Sequence, residues 1–268
     1  MLFQSQAENL TLTAYRQAVL QSEAARKAEV TRKLAYYNNE QEPFVLDKIR
    51  LKYSNPERVD PVFMNLTRKI VNLIARVYLQ DCTRVVDGKR QDQDIYAYIE
   101  DAASLPTKMK TADRLSRLLG TIMLRPLWRN GKPDMDVLTG DVLDVVTGDS
   151  PEDVRAVLVT HASQSGRPEE IEYSLWTPDT FQRLSYRGVV ISSEPNPYGV
   201  IPFVPVWSES PIEDFWLPGA NDIINAQVAI DNRLTDTCYT LRFQSHGVGY
   251  VKAGSEASGD TLSTGPEP

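Results

Sequence analysis

Asp134, Asp136, Asp141 and Asp144 are the residues whose type and spacing first suggest chemistry. Carboxylate oxygens of this kind could ligate a divalent ion, but no EF-hand pattern orders them. His161 and His246 are the only histidines, and neither has a metal-ligand neighbour at useful spacing. His161 ends an expected strand and is read as a structural or surface residue. Gly88-Lys89 and Gly131-Lys132 lack the further glycine and hydroxyl residue that would complete a phosphate-cradling loop. No Gly-x-Ser-x-Gly elbow is present, and no glutamate is followed two residues later by lysine, as a nuclease Glu-x-Lys pair requires. The residues therefore point away from an enzyme, and no cofactor or metal is expected. A carboxylate-metal hydrolase is kept as the lesser alternative.

With 268 residues the chain can bury a substantial core in one or two domains. A net charge of −7 argues against a broad basic face that grips DNA. It leaves room for a wall that DNA slides past. Cys82 and Cys238 lie far apart in sequence, so two free thiols in a reduced intracellular protein are expected rather than a disulfide. No basic segment followed by an apolar one opens the chain, so no secretory signal is expected, and no run of eighteen apolar residues occurs. Residues 254–268 are mostly Gly, Ser, Thr, Glu and Pro, which fits a disordered tail or the front portion of a longer chain.

The elements that must position these residues make an α+β pattern. Residues 8–37 read as a helix with ion-paired spacing at Glu23/Lys27 and at Glu29/Arg32/Lys33, closed by Tyr36-Tyr37-Asn38-Asn39, where Asn can turn left-handed. Residues 60–80 give the strongest helical signal. Asp60 suits the N-cap and Pro61 the first turn, and Phe63, Leu66, Ile70, Ile74 and Val77 form one apolar stripe. Arg68, Lys69 and Arg76 lie off that stripe, on a solvated face or in ion pairs between subunits. Residues 92–120 read as two helices split near Pro106, with basic Lys108, Lys110, Arg114 and Arg117 on a solvated face. From Thr121 the period becomes two. Ile122–Trp128 and Asp134–Leu138 flank Asn130-Gly131, the signature of a type I′ hairpin, and Pro126 marks an edge or bulge. Strands are expected at 154–160, 170–175, 180–186 and 188–192, in a largely antiparallel sheet placed between helices.

The stretch 196–252 organises the rest. Pro197, Pro202 and Pro205 forbid helix there, while Val200, Ile201, Phe203, Val204 and Val206 favour an extended edge strand. After the break at Pro218-Gly219, Ile223, Ile230, Leu234, Cys238 and Leu241 recur at helical spacing, and no Pro or Gly interrupts 220–246. A helix of about 25 residues is roughly 38 Å long. It runs into Gly247-Val248-Gly249-Tyr250-Val251-Lys252, a short strand in need of a partner.

Asn196, Tyr198, Gly199, Ile201 and Pro202, followed by Asp222, Ile224, Ile230, Asp231, Thr235 and Asp236, resemble the strand-then-helix pattern of the portal proteins of tailed bacteriophages. The paired tyrosines 36 and 37, and Asn65, Arg68, Lys69, Val71 and Tyr78, resemble the same family. The resemblance implies a ring at one capsid vertex, usually of twelve copies, through which double-stranded DNA is packaged and ejected without sequence readout. It implies residues 1–210 as wing, 211–245 as stem helix with its lead-in, and 246–268 as the start of the clip, in a chain that continues further. Implied partners are the major capsid protein, the terminase and then head-completion or tail proteins, in the host cytoplasm during assembly and in the virion afterwards, with no membrane.

In that ring a polar stripe would face the channel, with Asp222, Asn225, Asp231, Asn232, Asp236 and Thr240 as candidates. Ile223, Ile230, Leu234 and Leu241 would face neighbours or wing. Phe63, Leu66, Ile70, Ile74, Ile230 and Leu234 are assigned to core or subunit packing, and Gly247, Val248, Tyr250, Val251 and Lys252 to partner docking. An ordinary long amphipathic helix in a monomer would leave the same pattern. A head–tail adaptor is the other assembly component considered.

Overall fold

The computed structural model describes residues 23–80, 82, 84–161 and 167–245. They form an α+β fold of helices and two antiparallel sheets, divided into two compact units. One unit joins residues 23–34 to 69–221. The other joins 35–68 to 222–245.

In the first unit, helices α4 (Arg90–Ala102) and α5 (Leu105–Leu119) break at Ala103-Ser104, where Ser104 is left-handed at φ 51°. Pro106 falls in the first turn of α5, where its missing N–H costs nothing, so the expected split at this proline holds. Strands β1 (Thr121–Arg129) and β2 (Lys132–Thr139) make the expected hairpin. Asn130 and Gly131 turn it with φ 53° and 74°, the pair of positive values that a type I′ turn requires. Strand β8 (Val204–Trp207) pairs only with Thr121–Leu124, so Pro126 sits where β1 is locally an edge. The extended stretch at 196–207 is thus a strand only over its last four residues.

The second sheet runs β3 (Leu143–Thr147), β4 (Val154–His161), β5 (Glu172–Trp176), β6 (Thr180–Ser185) and β7 (Val190–Pro195), in chain order. β3 was not among the expected strands. Met123, Leu143, Val157, Val159, Phe203 and Phe215 form one core cluster, drawn from both sheets and from the proline-rich lead-ins. Ala156, Leu175 and Leu184 form another. Ser174 is buried, and its Oγ lies 2.7 Å from His161 Nε2.

Helix α1 (Ala24–Asn38) begins in this unit. The expected solvated, ion-paired face is only partly present. Arg32 pairs with Glu29 at 2.8 Å, but Arg26 donates to the Gly140 and Leu143 carbonyls at 2.6 and 2.8 Å and stacks on Trp216. Lys27 reaches Asp144 at 2.6 Å. Lys33 is buried and donates to the Pro218 carbonyl, and that burial holds its ammonium below the usual lysine range.

In the second unit α1 ends on Asn39, left-handed at φ 69°, as its sequence signals. Helix α2 (Glu42–Lys52) buries Val45 and Ile49 against Val59, with Tyr53, Phe63 and Tyr239 alongside. The helix expected over 60–80 is a correction. Only α3 (Thr67–Ile74) is helical, and 61–66 is non-helical. Asn65, not Asp60, caps it, accepting the Arg68 N–H at 2.9 Å. Asp60 pairs with Arg242 instead. The stripe fails as core: Phe63 and Leu66 are half-buried, while Ile70, Ile74 and Val77 are 39%, 46% and 60% exposed. Helix α6 (Asn221–Ser245) is unbroken over 25 residues, as expected.

Gly120 and Gly219 approach back to back in the first unit. A Cβ on Gly120 would strike the Leu217 carbonyl and the Gly219 nitrogen, and Gly120 holds φ 86°. Gly131 has φ 74° with open space around it. Gly120→Ala is expected to cost on the order of 2–3 kcal/mol or more, because strain and backbone collision add. Gly131→Ala should cost about 1–2 kcal/mol, the left-handed penalty alone. Thermal denaturation of the two variants side by side checks the difference.

Candidate functional site

Helix α6 presents four distinct faces within the second unit. The inward face carries Ile224, Gln227, Asp231 and Thr235, all at most 2% exposed. Three of the four are polar, and they meet the segment 61–67. Thr235 Oγ1 accepts the Val62 N–H and donates to the Val62 carbonyl, both at 3.1 Å. Asp231 Oδ1 accepts the Met64 N–H at 3.3 Å. Gln227 Oε1 accepts the Leu66 and Thr67 N–H groups at 3.0 and 3.3 Å. Gln227 Nε2 donates to the Met64 carbonyl at 2.6 Å and to Asp231 Oδ1 at 2.7 Å. Residues 62, 64 and 66 thus meet residues 235, 231 and 227 as rungs of one ladder. Two extended residues advance about 6.6 Å and four helical residues about 6.0 Å, so the repeats stay in register over three rungs.

One flank carries Asn232 and Asp236, both half-buried. Asp236 accepts hydrogen bonds from Lys52 and Tyr53. These bonds hold its carboxyl below the usual carboxylate range, while burial and Asp236 push the Tyr53 phenol up to about 12. A cleft of about 420 Å³ lies here, lined by Lys48, Lys52, Tyr53 and Asp236 among others. The paired Asp236 leaves no free base in it.

The other flank carries Ile223, Ile230 and Leu234, half-buried, and Leu241, 56% exposed. The outward face carries Asp222, Asn225, Ala226, Ala229, Arg233, Thr237 and Thr240, all exposed.

Of the residues expected to face an open channel, Asp222, Asn225 and Thr240 are exposed on one face. Asp231 is a correction: it lies half a turn away, fully buried against its own chain. Arg233 was missed, although steps of four, three and four from Asp222 through Ala226 and Ala229 lead to it. Gly247, Val248, Tyr250, Val251 and Lys252 lie outside the described residues.

The four clustered aspartates do not converge. Asp134 pairs with Arg129, Asp136 with Arg125 and Arg129, Asp144 with Arg26 and Lys27, and Asp141 bonds Thr139. Among the described residues no group of three or more His, Cys, Asp or Glu could hold a metal, and no helix is long and apolar enough to cross a membrane. Cys82 and Cys238 are free and exposed. Asn196, Tyr198 and Gly199 form a turn. Asn196 Nδ2 donates to the Thr177 and Val200 carbonyls at 2.8 Å, its Oδ1 accepts the Tyr198 N–H, and Gly199 has φ 64°.

No protein-family model matches the chain, and no curated protein is significantly similar to it.

The ladder makes a specific stability claim. Thr235→Val keeps the side-chain shape but strands the Val62 N–H and carbonyl. It is expected to cost about 1–3 kcal/mol. Ile70→Ala, on the exposed stripe, should stay within about 0.5 kcal/mol in the dissociated subunit. Chemical denaturation of both variants checks the order, and a reversed order would place the core on α3 instead.

Proposed function

We propose that the chain is a subunit of a portal-type ring, a structural and non-enzymatic channel for double-stranded DNA at a capsid vertex. The observation that carries the reading is α6: one unbroken helix of 25 residues whose outward face carries no large apolar side chain from Asp222 to Thr240. Such a helix can stand beside copies of itself around a hole. Small residues at Ala226 and Ala229 keep that face flat, and Asp222 and Arg233 give it mixed charge. A wall of mixed sign inside a subunit of net charge −7 attracts phosphate only locally, so DNA can pass without sticking.

In this reading 1–210 is wing and 211–245 is stem helix with its lead-in. The exposed Ile70, Leu73, Ile74 and Val77 then contact a neighbouring subunit, since a monomer gains nothing by leaving them in water. Terminase and head-completion or tail proteins would dock in turn at the end beyond α6.

The test is the mass of the purified protein by size-exclusion chromatography with light scattering, and its shape by negative-stain electron microscopy. A ring of about a dozen subunits is expected, and a monomer at all concentrations overturns the reading. Leu73→Asp combined with Val77→Asp should yield folded monomers, because both side chains are exposed within the subunit.

A further inference from the structure

We propose that Asp231 is a proton-operated latch that holds the segment 61–67 against α6. The argument starts from its two oxygens. Oδ1 receives both available donors, the Met64 N–H and Gln227 Nε2. Oδ2 is buried and has no hydrogen-bonding partner among the described residues. The side chain as a whole is 0% exposed. A carboxylic acid fits this arrangement, because Oδ2 can carry the proton while Oδ1 keeps accepting. A carboxylate does not, because its charge would be left half-unsatisfied in a dry site.

Charged groups on the surrounding elements do not relieve it. On the segment, Asp60 pairs with Arg242. On α6, Arg233 points outward and acts on Asp236, and Asp236 is held by Lys52 of α2. Lys48 of α2 is exposed and lines the cleft on the Asp236 side. Arg68 lies over the Tyr37 ring at the end of α1. Burial accordingly pushes the Asp231 carboxyl above the usual carboxylate range, opposed only by the Met64 and Gln227 hydrogen bonds.

The sign follows from linkage. A raised carboxyl in the clamped state favours clamping below the ordinary carboxylate value of about 3.9, and that advantage is lost as pH rises through the raised value. When the proton leaves to solvent, the carboxylate relaxes by swinging toward water. That breaks the middle rung, and Gln227 then loses its Asp231 contact. The segment also holds Asn65, which caps α3, so opening the latch weakens the start of that helix. The latch is independent of ring assembly, since every group in it belongs to one chain.

The test uses the full chain. Carbonyl-carbon NMR titration of Asp231 is combined with hydrogen exchange of the 61–67 amides, corrected for intrinsic rates. The Asp231 midpoint is expected above the ordinary range. Between about 3.9 and that midpoint the opening constant of 61–67 should rise, by at most about tenfold per pH unit, in the wild type and level off above it, and it should stay flat throughout in Asp231→Asn. A midpoint at or below about 3.9 would mean that Oδ2 is solvated, and it overturns the latch. An equal pH slope in the variant overturns it as well. Should Asp231→Asn fail to fold, the wild-type data decide, since the rise in exchange must level off at the pH of the Asp231 midpoint.

Discussion

A backbone in extended conformation that has no neighbouring strand must find its hydrogen bonds elsewhere. In the second unit that demand falls on segment 61–67, and α6 answers it with side chains. Gln227, Asp231 and Thr235 stand one helical turn apart and meet every second residue of the segment. The helix substitutes for a sheet. Each rung satisfies groups that would otherwise be buried without partners, so its loss costs more than the contact itself contributes.

This constraint fixes the rotation of α6. With the polar rungs turned inward, the apolar Ile223, Ile230 and Leu234 fall on a flank and are only half covered. Asp222, Ala226, Ala229, Arg233 and Thr240 are left outside. An amphipathic helix normally turns its apolar stripe to the core. Here the polar stripe is the core stripe, and the apolar one is available at the side. A helix that must pack against copies of itself has use for such a flank; an isolated helix does not.

The sequence was most readable where structure is set by local chemistry. Asn130-Gly131, Pro106, Asn39 and Pro218-Gly219 each impose a backbone conformation on their own, and each boundary falls where that chemistry puts it. The length of α6 was readable because nothing in it breaks a helix. What was not readable depended on distant partners. Residues 60–80 carry a sound helical period, yet 61–66 is drawn into the ladder by residues more than 160 positions away. Asp231 looked solvent-facing because periodicity gives the angle of a residue, not the polarity of what it meets. β3 was short and adjoined a turn, and Arg26 looked like one more charge on a wet helix. The fold class was legible, while the inward side of the candidate helix was not.

Arg26 shows that the ladder is not an isolated solution. In the first unit its guanidinium serves the Gly140 and Leu143 carbonyls, lies on Trp216 and contacts Asp144. Thr121 does similar work at the lead-in to α6, donating to the Phe215 carbonyl and accepting the Leu217 N–H. In both units irregular backbone is fixed by polar side chains from regular elements. Such fastening is directional, unlike apolar packing, and tolerates little sliding. It lets a lead-in rich in proline hold one defined geometry within the first unit. The outward residues of α6 are therefore placed by the polar ladder on its opposite face.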